Sequence, residues 1–129
     1  MKILTLSIKQ KYFDEIMAGT KKQEFREIRP SNSKKYFNYA CDGKEYENAE
    51  DLPEDGEVTL SPVKYDAIKF LTGEYKGKRP FAIVQVKSAE VQILTDDDGE
   101  DVVYMHEGEE YLAAQIVYDL GEVIEKSDY

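Results

Sequence analysis

Residues 7–28 read SIKQKYFDEIMAGTKKQEFREI, and the change of period inside this stretch decides the architecture. Ser7 with Gln10 three positions later has the form of a capping box, which predicts a helix starting there. Ile8, Tyr12, Phe13, Ile16 and Met17 follow at spacings that share one helical face. Gly19 supplies a left-handed stop. From Lys21 to Ile28 the period drops to two, so the chain should leave the helix as a strand, closed by Pro30. Along that strand Glu24 and Arg26 share a face, and Phe25 is expected to point the other way, into the core. Upstream, Lys2–Leu6 reads as a first strand. It meets Lys9 and Lys11 too soon for a secretory hydrophobic region, and no small-residue cleavage site follows.

Downstream of Pro30 the pattern weakens. Residues 31–64 hold Ser31-Asn32-Ser33, aromatics at Tyr36, Phe37 and Tyr39, and an acidic stretch from Glu45 to Glu57. So long a connection should contain a helix or hairpin of its own. Its few aliphatic residues make it an insertion on a core fold, not a second domain. Strands are expected at Ala67–Thr72, at Phe81–Val86 continuing through a bulge at Ser88-Ala89 to Val91–Thr95, at Val102–His106, at Ala114–Leu120 and at Glu122–Lys126, with Gly121 a bend. Gly73–Pro80 is a turn-rich connector. One early helix and six or seven short strands make a single domain over residues 1–129, α+β by content, mainly β, closing into a small barrel.

Composition narrows the function. The 129 residues include one cysteine, Cys41, and one histidine, His106. No disulfide forms within the chain, which points to the cytoplasm, and the four ligands of a tetrahedral zinc are lacking. No apolar run is long enough to span a bilayer. Asp96-Asp97-Asp98-Gly99-Glu100-Asp101 fails as a calcium loop, because aligning its glycine puts Leu94 and Met105 where ligands are needed. No metal or other cofactor is therefore expected. The net charge of −10 argues against broad binding to phosphate backbones, yet residues 1–35 carry nine Lys or Arg against four Asp or Glu.

The basic end holds the clearest motif, Gly19-x-Lys21-x-x-Glu24-x-Arg26. It gathers two cations and a carboxylate at the root of one strand. A guanidinium binds phosphate bidentately, and a carboxylate accepts from a base amino group. The bland alternative is a surface ion pair of little consequence. Lys34-Lys35-Tyr36-Phe37-Asn38-Tyr39 and Tyr75-Lys76-Gly77-Lys78-Arg79 also interleave rings with cations, so Tyr36, Tyr39, Tyr65 and Tyr75 are candidate stacking groups for unpaired bases.

The motif, set after a strand and a helix, resembles the signature of the ASCH family in the PUA-like superfamily. The region Tyr65-Asp66-Ala67-Ile68, Arg79-Pro80 and Ile83-Val84-Gln85-Val86 is compatible with that family's barrel strands. The resemblance covers about half of the chain and leaves residues 31–64 and 96–110 unaccounted for. It implies a PUA-like barrel whose cleft binds RNA or a nucleoside-type ligand, with Lys21, Glu24, Arg26, Tyr65, Tyr75 and Arg79 as candidate ligand-binding residues. It also implies an enzymatic alternative, a hydrolase acting on a modified nucleoside or on RNA, with Lys21 and Glu24 in acid/base roles. In the amidohydrolase-like members a threonine nucleophile stands where this chain has Glu24. A third reading, from the acidic segments 45–57 and 96–110, is a module that binds a basic protein partner.

Overall fold

A computed structural model describes residues 1–73 and 79–127. In chain order the elements are β1 (Ile3–Ser7), α1 (Gln10–Met17), β2 (Gln23–Ile28), α2 (Ser33–Tyr36), β3 (Phe37–Cys41), β4 (Lys44–Tyr46), a 3₁₀ turn (Ala49–Asp51), β5 (Val58–Pro62), β6 (Ala67–Leu71), β7 (Phe81–Ile93), β8 (Val103–His106), β9 (Glu109–Leu112) and β10 (Ala114–Lys126). The fold is mainly β with few helices, as the sequence predicts. Among the described residues no helix is long and apolar enough to cross a membrane.

Five strands pair in the order β1-β6-β7-β10-β2. The coordinates group into two compact units: residues 1–24, 64–89 and 118 onward form the first, and residues 25–63 and 90–117 the second. The division falls inside β2, β7 and β10.

In the first unit β1 lies parallel to β6, Ile3 opposite Ala67 through Ser7 opposite Leu71. Antiparallel β7 follows, Ala67 opposite Gln85 and Leu71 opposite Phe81. Leu4 and Leu6 alternate inward from β1 and are buried, with Ile68, Phe70, Ala82 and Val84. Phe13 and Ile16 are the buried side chains of α1. Burying side chains of this size contributes about 1.5–3 kcal/mol each.

The helix starts later than the capping box implies. Ile8 N–H donates to Leu71 O at 2.9 Å, so strand pairing runs on past Ser7, and the N-cap is Lys9, without a side-chain cap. Ser7 Oγ instead accepts from Arg79 Nη2 at 3.1 Å, and Gln10 Oε1 accepts from Thr72 Oγ1 at 3.1 Å. Pairing with β6 holds Ser7 extended, and both side chains are used in tertiary contacts. The stop is where the sequence puts it, at Gly19, with φ of 78°.

In the second unit β4, β3 and β5 form an antiparallel sheet, β3 in the middle. The expected hairpin inside residues 31–64 is thus present. Its turn, Asp42-Gly43, has φ of 51° and 82°, and Glu107-Gly108 between β8 and β9 repeats this with 49° and 81°. Two central residues with positive φ make type I′ turns, whose twist matches that of the flanking strands. The insertion adds Tyr36, Cys41 and Val63 to the buried set. Tyr36 is 2% exposed, so it packs inside and offers no ring for stacking.

The strand from Phe81 continues past Ser88-Ala89 as expected, in one piece, β7, that ends at Ile93. Two strand expectations need correction. The pieces on either side of Gly121 are one continuous strand, β10. β9, between the strands expected at Val102–His106 and Ala114–Leu120, carries Glu109 and Glu110 and has no apolar alternation to mark it. Asp96–Asp101 is a tight polar turn in which Asp96 Oδ1 accepts from the N–H groups of Asp98 and Glu100, at 2.9 and 3.0 Å.

Two glycines separate backbone strain from crowding. At Gly43 a Cβ would meet nothing within 4 Å, whereas at Gly56, with φ of 118°, it would lie 2.9 Å from Cys41 Sγ. Gly43→Ala should cost about 1 kcal/mol and Gly56→Ala at least about 2 kcal/mol, measured by urea denaturation. Equal losses would contradict the tight packing of Gly56 on Cys41.

Candidate functional site

The exit from α1 places the first residue of the site. Gly19 N–H donates to Ile16 O at 3.1 Å and Thr20 N–H to Glu15 O at 3.0 Å, the paired bonds of a Schellman motif. Lys21 N–H and Thr20 Oγ1 donate to the same Glu15 carbonyl, each at 3.1 Å. The backbone at Lys21 is therefore anchored to the helix it has just left. One residue on, Lys22 O accepts from Leu120 N at 2.9 Å, which fastens the root of β2 to β10.

Lys21 and Glu24 come together. Lys21 Nζ stands 3.8 Å from Glu24 Oε1 and 5.4 Å from the centre of the Tyr12 ring. The two side chains are 18% and 8% exposed, so the ammonium is held from two sides at the rim of a buried carboxylate. A ring face adds roughly 0.5–1 kcal/mol to the placing of such a cation. The expected orientation of β2 is reversed: Glu24 and Ile28 are buried, and Phe25 is 47% exposed. Burial of Ile28 holds the phase of the strand, and a period of two then brings Glu24 inward beside Lys21 and turns Phe25 outward.

Beside this pair lies a cleft of about 330 Å³, wholly within the first unit. Gly19, Lys21, Lys22, Gln85, Lys87 and Glu122 supply its polar lining, and Ile16, Val84, Leu120, Gly121 and Val123 the rest. The charged residues of the lining are thus three lysines and one glutamate. Gln85 packs directly on Gly121, where a Cβ would fall 2.4 Å from Gln85 Oε1. The charge of the chain is divided in the same way as its contacts. The first unit's residues include twelve Lys or Arg against nine Asp or Glu, a balance of +3, and the second's five against eighteen, −13.

The remaining candidates lie elsewhere. Arg26 is half-buried in the second unit and is not among the residues that line the cleft. Arg79 is past the C-terminal end of β6, its Nη2 on Ser7 Oγ and its Nε donating to Thr72 O at 3.4 Å. Tyr65 precedes the opposite end of β6, under Lys2 Nζ at 5.2 Å, and burial pushes its phenol pKa up. Tyr75 lies outside the described residues. Lys22, Gln85, Lys87 and Glu122 were missed. Gln85 and Lys87 are two apart on β7, a spacing that gives them a common face, but only the sheet order brings that face to Lys21.

No protein-family model matches the chain, and no curated protein or solved structure matches it.

Asp119, next to Leu120 of the cleft wall, ties three strands together. It accepts from Gln23 Nε2 and from Ser88 Oγ, both at 2.7 Å. These bonds, and the nearby Lys87, hold its carboxyl below the usual value. A lowered carboxylate pKa stabilises the fold above the unfolded value of about 3.9, and the gain is lost as pH falls through the folded value. Asp119→Asn should therefore melt below the wild type at pH 7, and the gap should close as the pH falls through the lowered folded-state value. A gap that is constant with pH would reject the ionic part of this clasp.

Proposed function

We propose that the chain is a PUA-like, ASCH-type domain that binds a nucleotide or a short stretch of RNA in the cleft at the exit of α1. The observation that carries this reading is the convergence of Lys21, Lys22 and Lys87 on one concave surface in a chain of net charge −10. Ammonium groups neutralise phosphate, and clustering them against the overall charge favours an anion at that place over anions in general. A cleft of 330 Å³ is at the lower end of the range for small-ligand sites, which suits one nucleotide better than a long strand. Gln85 offers a carboxamide able to pair with a base edge.

In this reading Glu24 is a positioning residue. It lies beneath Lys21 and does not line the cleft, so it orients the ammonium without touching the ligand. The geometry favours binding over hydrolysis, since a buried carboxylate occupied with a lysine is poorly placed to move a proton to substrate.

Titration of nucleoside monophosphates and of a short single-stranded oligoribonucleotide, by calorimetry at two salt concentrations, tests the proposal. Lys22→Ala and Lys87→Ala should each weaken binding about tenfold and lower the salt dependence by about one ion. Gln85→Ala, which removes the carboxamide from the cleft wall, should weaken binding further without changing the salt dependence. Lys34→Ala, outside the cleft, should change little. Full affinity in both Lys22→Ala and Lys87→Ala would reject the site.

A further inference from the structure

The β8–β9 hairpin, in the second unit, has two unlike faces. Tyr104 stacks on Tyr111 with ring centres 5.8 Å apart, and His106 meets Tyr111 edge-on at 6.1 Å. The Arg29 guanidinium lies 4.5 Å from the centre of the Tyr104 ring, and both tyrosines of this face are half-buried. Strand alternation puts Val103, Met105, Glu110 and Leu112 on the other face, Val103 directly opposite Leu112 and Met105 opposite Glu110. Val103 and Leu112 are each 48% exposed and Met105 67%. Apolar side chains grouped on the open side of a two-stranded ribbon are a recognised mark of an interaction surface.

The surrounding charge selects the partner. Between Asp96 and Glu110 there are eight carboxylates and no Lys or Arg, and no Lys or Arg occurs anywhere from Ser88 to Glu125. Nucleic acid and anionic lipid are repelled by such a rim. A second copy using the same face would set Glu110 and its neighbours against their equivalents. We infer that the Val103–Met105–Leu112 face docks a segment of another protein in which Lys or Arg alternates with aliphatic side chains. The apolar groups would cover the three exposed side chains, and the cations would meet Glu107, Glu110 and the Asp96–Asp101 turn, steering association as complementary charges do.

Two synthetic peptides test this with the full chain: one alternating Lys with Leu, and one of equal length and charge with Ser in place of Leu. Fluorescence anisotropy should show the Lys-Leu peptide binding at least tenfold tighter. In Met105→Gln/Leu112→Thr the two peptides should differ by less than twofold, while circular dichroism and melting stay those of the wild type. Glu107→Gln/Glu110→Gln should weaken both peptides and flatten their salt dependence. If the double apolar variant misfolds, the wild type still decides the matter, because bound Lys-Leu peptide should slow peroxide oxidation of Met105, read by mass spectrometry, and the Lys-Ser peptide should not. Equal affinity of the two peptides, or unchanged oxidation of Met105, overturns the inference. So does sedimentation of the protein as a dimer that Met105→Gln converts to a monomer, which would show that a second copy covers the face.

Discussion

The Glu15 carbonyl accepts hydrogen bonds from Thr20 N, Lys21 N and Thr20 Oγ1, and β2 departs from that point. A helix end leaves its last carbonyls without intrahelical partners, and here one of them is satisfied three times over by the two residues that follow the glycine. Only a residue tolerant of positive φ allows the chain to turn back so tightly, which is the requirement that Gly19 meets. The direction of β2, the height of Lys21 on the cleft wall and the contact between Lys22 O and Leu120 N all depend on this exit. A change at Gly19 would therefore shift the site before it touched any side chain of the site.

Downstream of that exit, the phase of β2 is set by a competition that local sequence cannot decide. Gln-Glu-Phe-Arg-Glu-Ile puts one large apolar residue in each set of alternate positions, Phe25 in one and Ile28 in the other, so either set could face inward. One phase buries Phe25 and the other Ile28, and it is the second that is adopted, with Glu24 buried, Lys21 3.8 Å away and the centre of the Tyr12 ring 5.4 Å from the ammonium. Ile28, on the same side as Glu24, is buried too and helps hold that phase. Burying a carboxylate is costly, and a nearby cation offsets part of the cost without making the pair a strong source of stability. Such an arrangement is more readily understood as a way of fixing Lys21 than as a way of holding the strand.

Legibility followed the range of the interactions. The helix stop at Gly19, the strand after it and the mainly β content are carried by neighbours in sequence, and they were readable. Asp42-Gly43 carries its own turn signal, yet the acidic residues around it read as solvated loop, so only an unspecified hairpin was foreseen there. β9 was lost for the same reason, since Glu109 and Glu110 obscure a strand that pairs with Val103–His106. The capping box failed because its serine was already committed to strand pairing, and strand pairing depends on residues 64 positions away. Lys87 and Gln85 were out of reach altogether. Nothing near them in sequence indicates that β7 and β10 bring them to the helix exit, and their place follows from sheet order alone.

The division of charge gives these separate features a common physical logic. A chain of −10 repels polyanions at a distance, so an anion-binding cleft is workable only where cations are concentrated and screened from the remaining carboxylates. Residues of the first unit balance at +3, and those of the second, which hold the hairpin and the insertion, at −13. On the proposed reading, the acidity of the second unit disfavours phosphate there and suits a cationic segment on the apolar face of β8 and β9. Net charge summed over the whole chain hides both tendencies. The relevant quantity is the charge within about a Debye length, roughly 8 Å at physiological salt, of the surface in question. On that scale Lys21, Lys22 and Lys87 stand with Glu122 in the lining, Glu24 beside Lys21 and Asp119 near Lys87, so the attraction proposed for an anion rests on which of these groups reach the cleft surface and not on the balance of the whole unit.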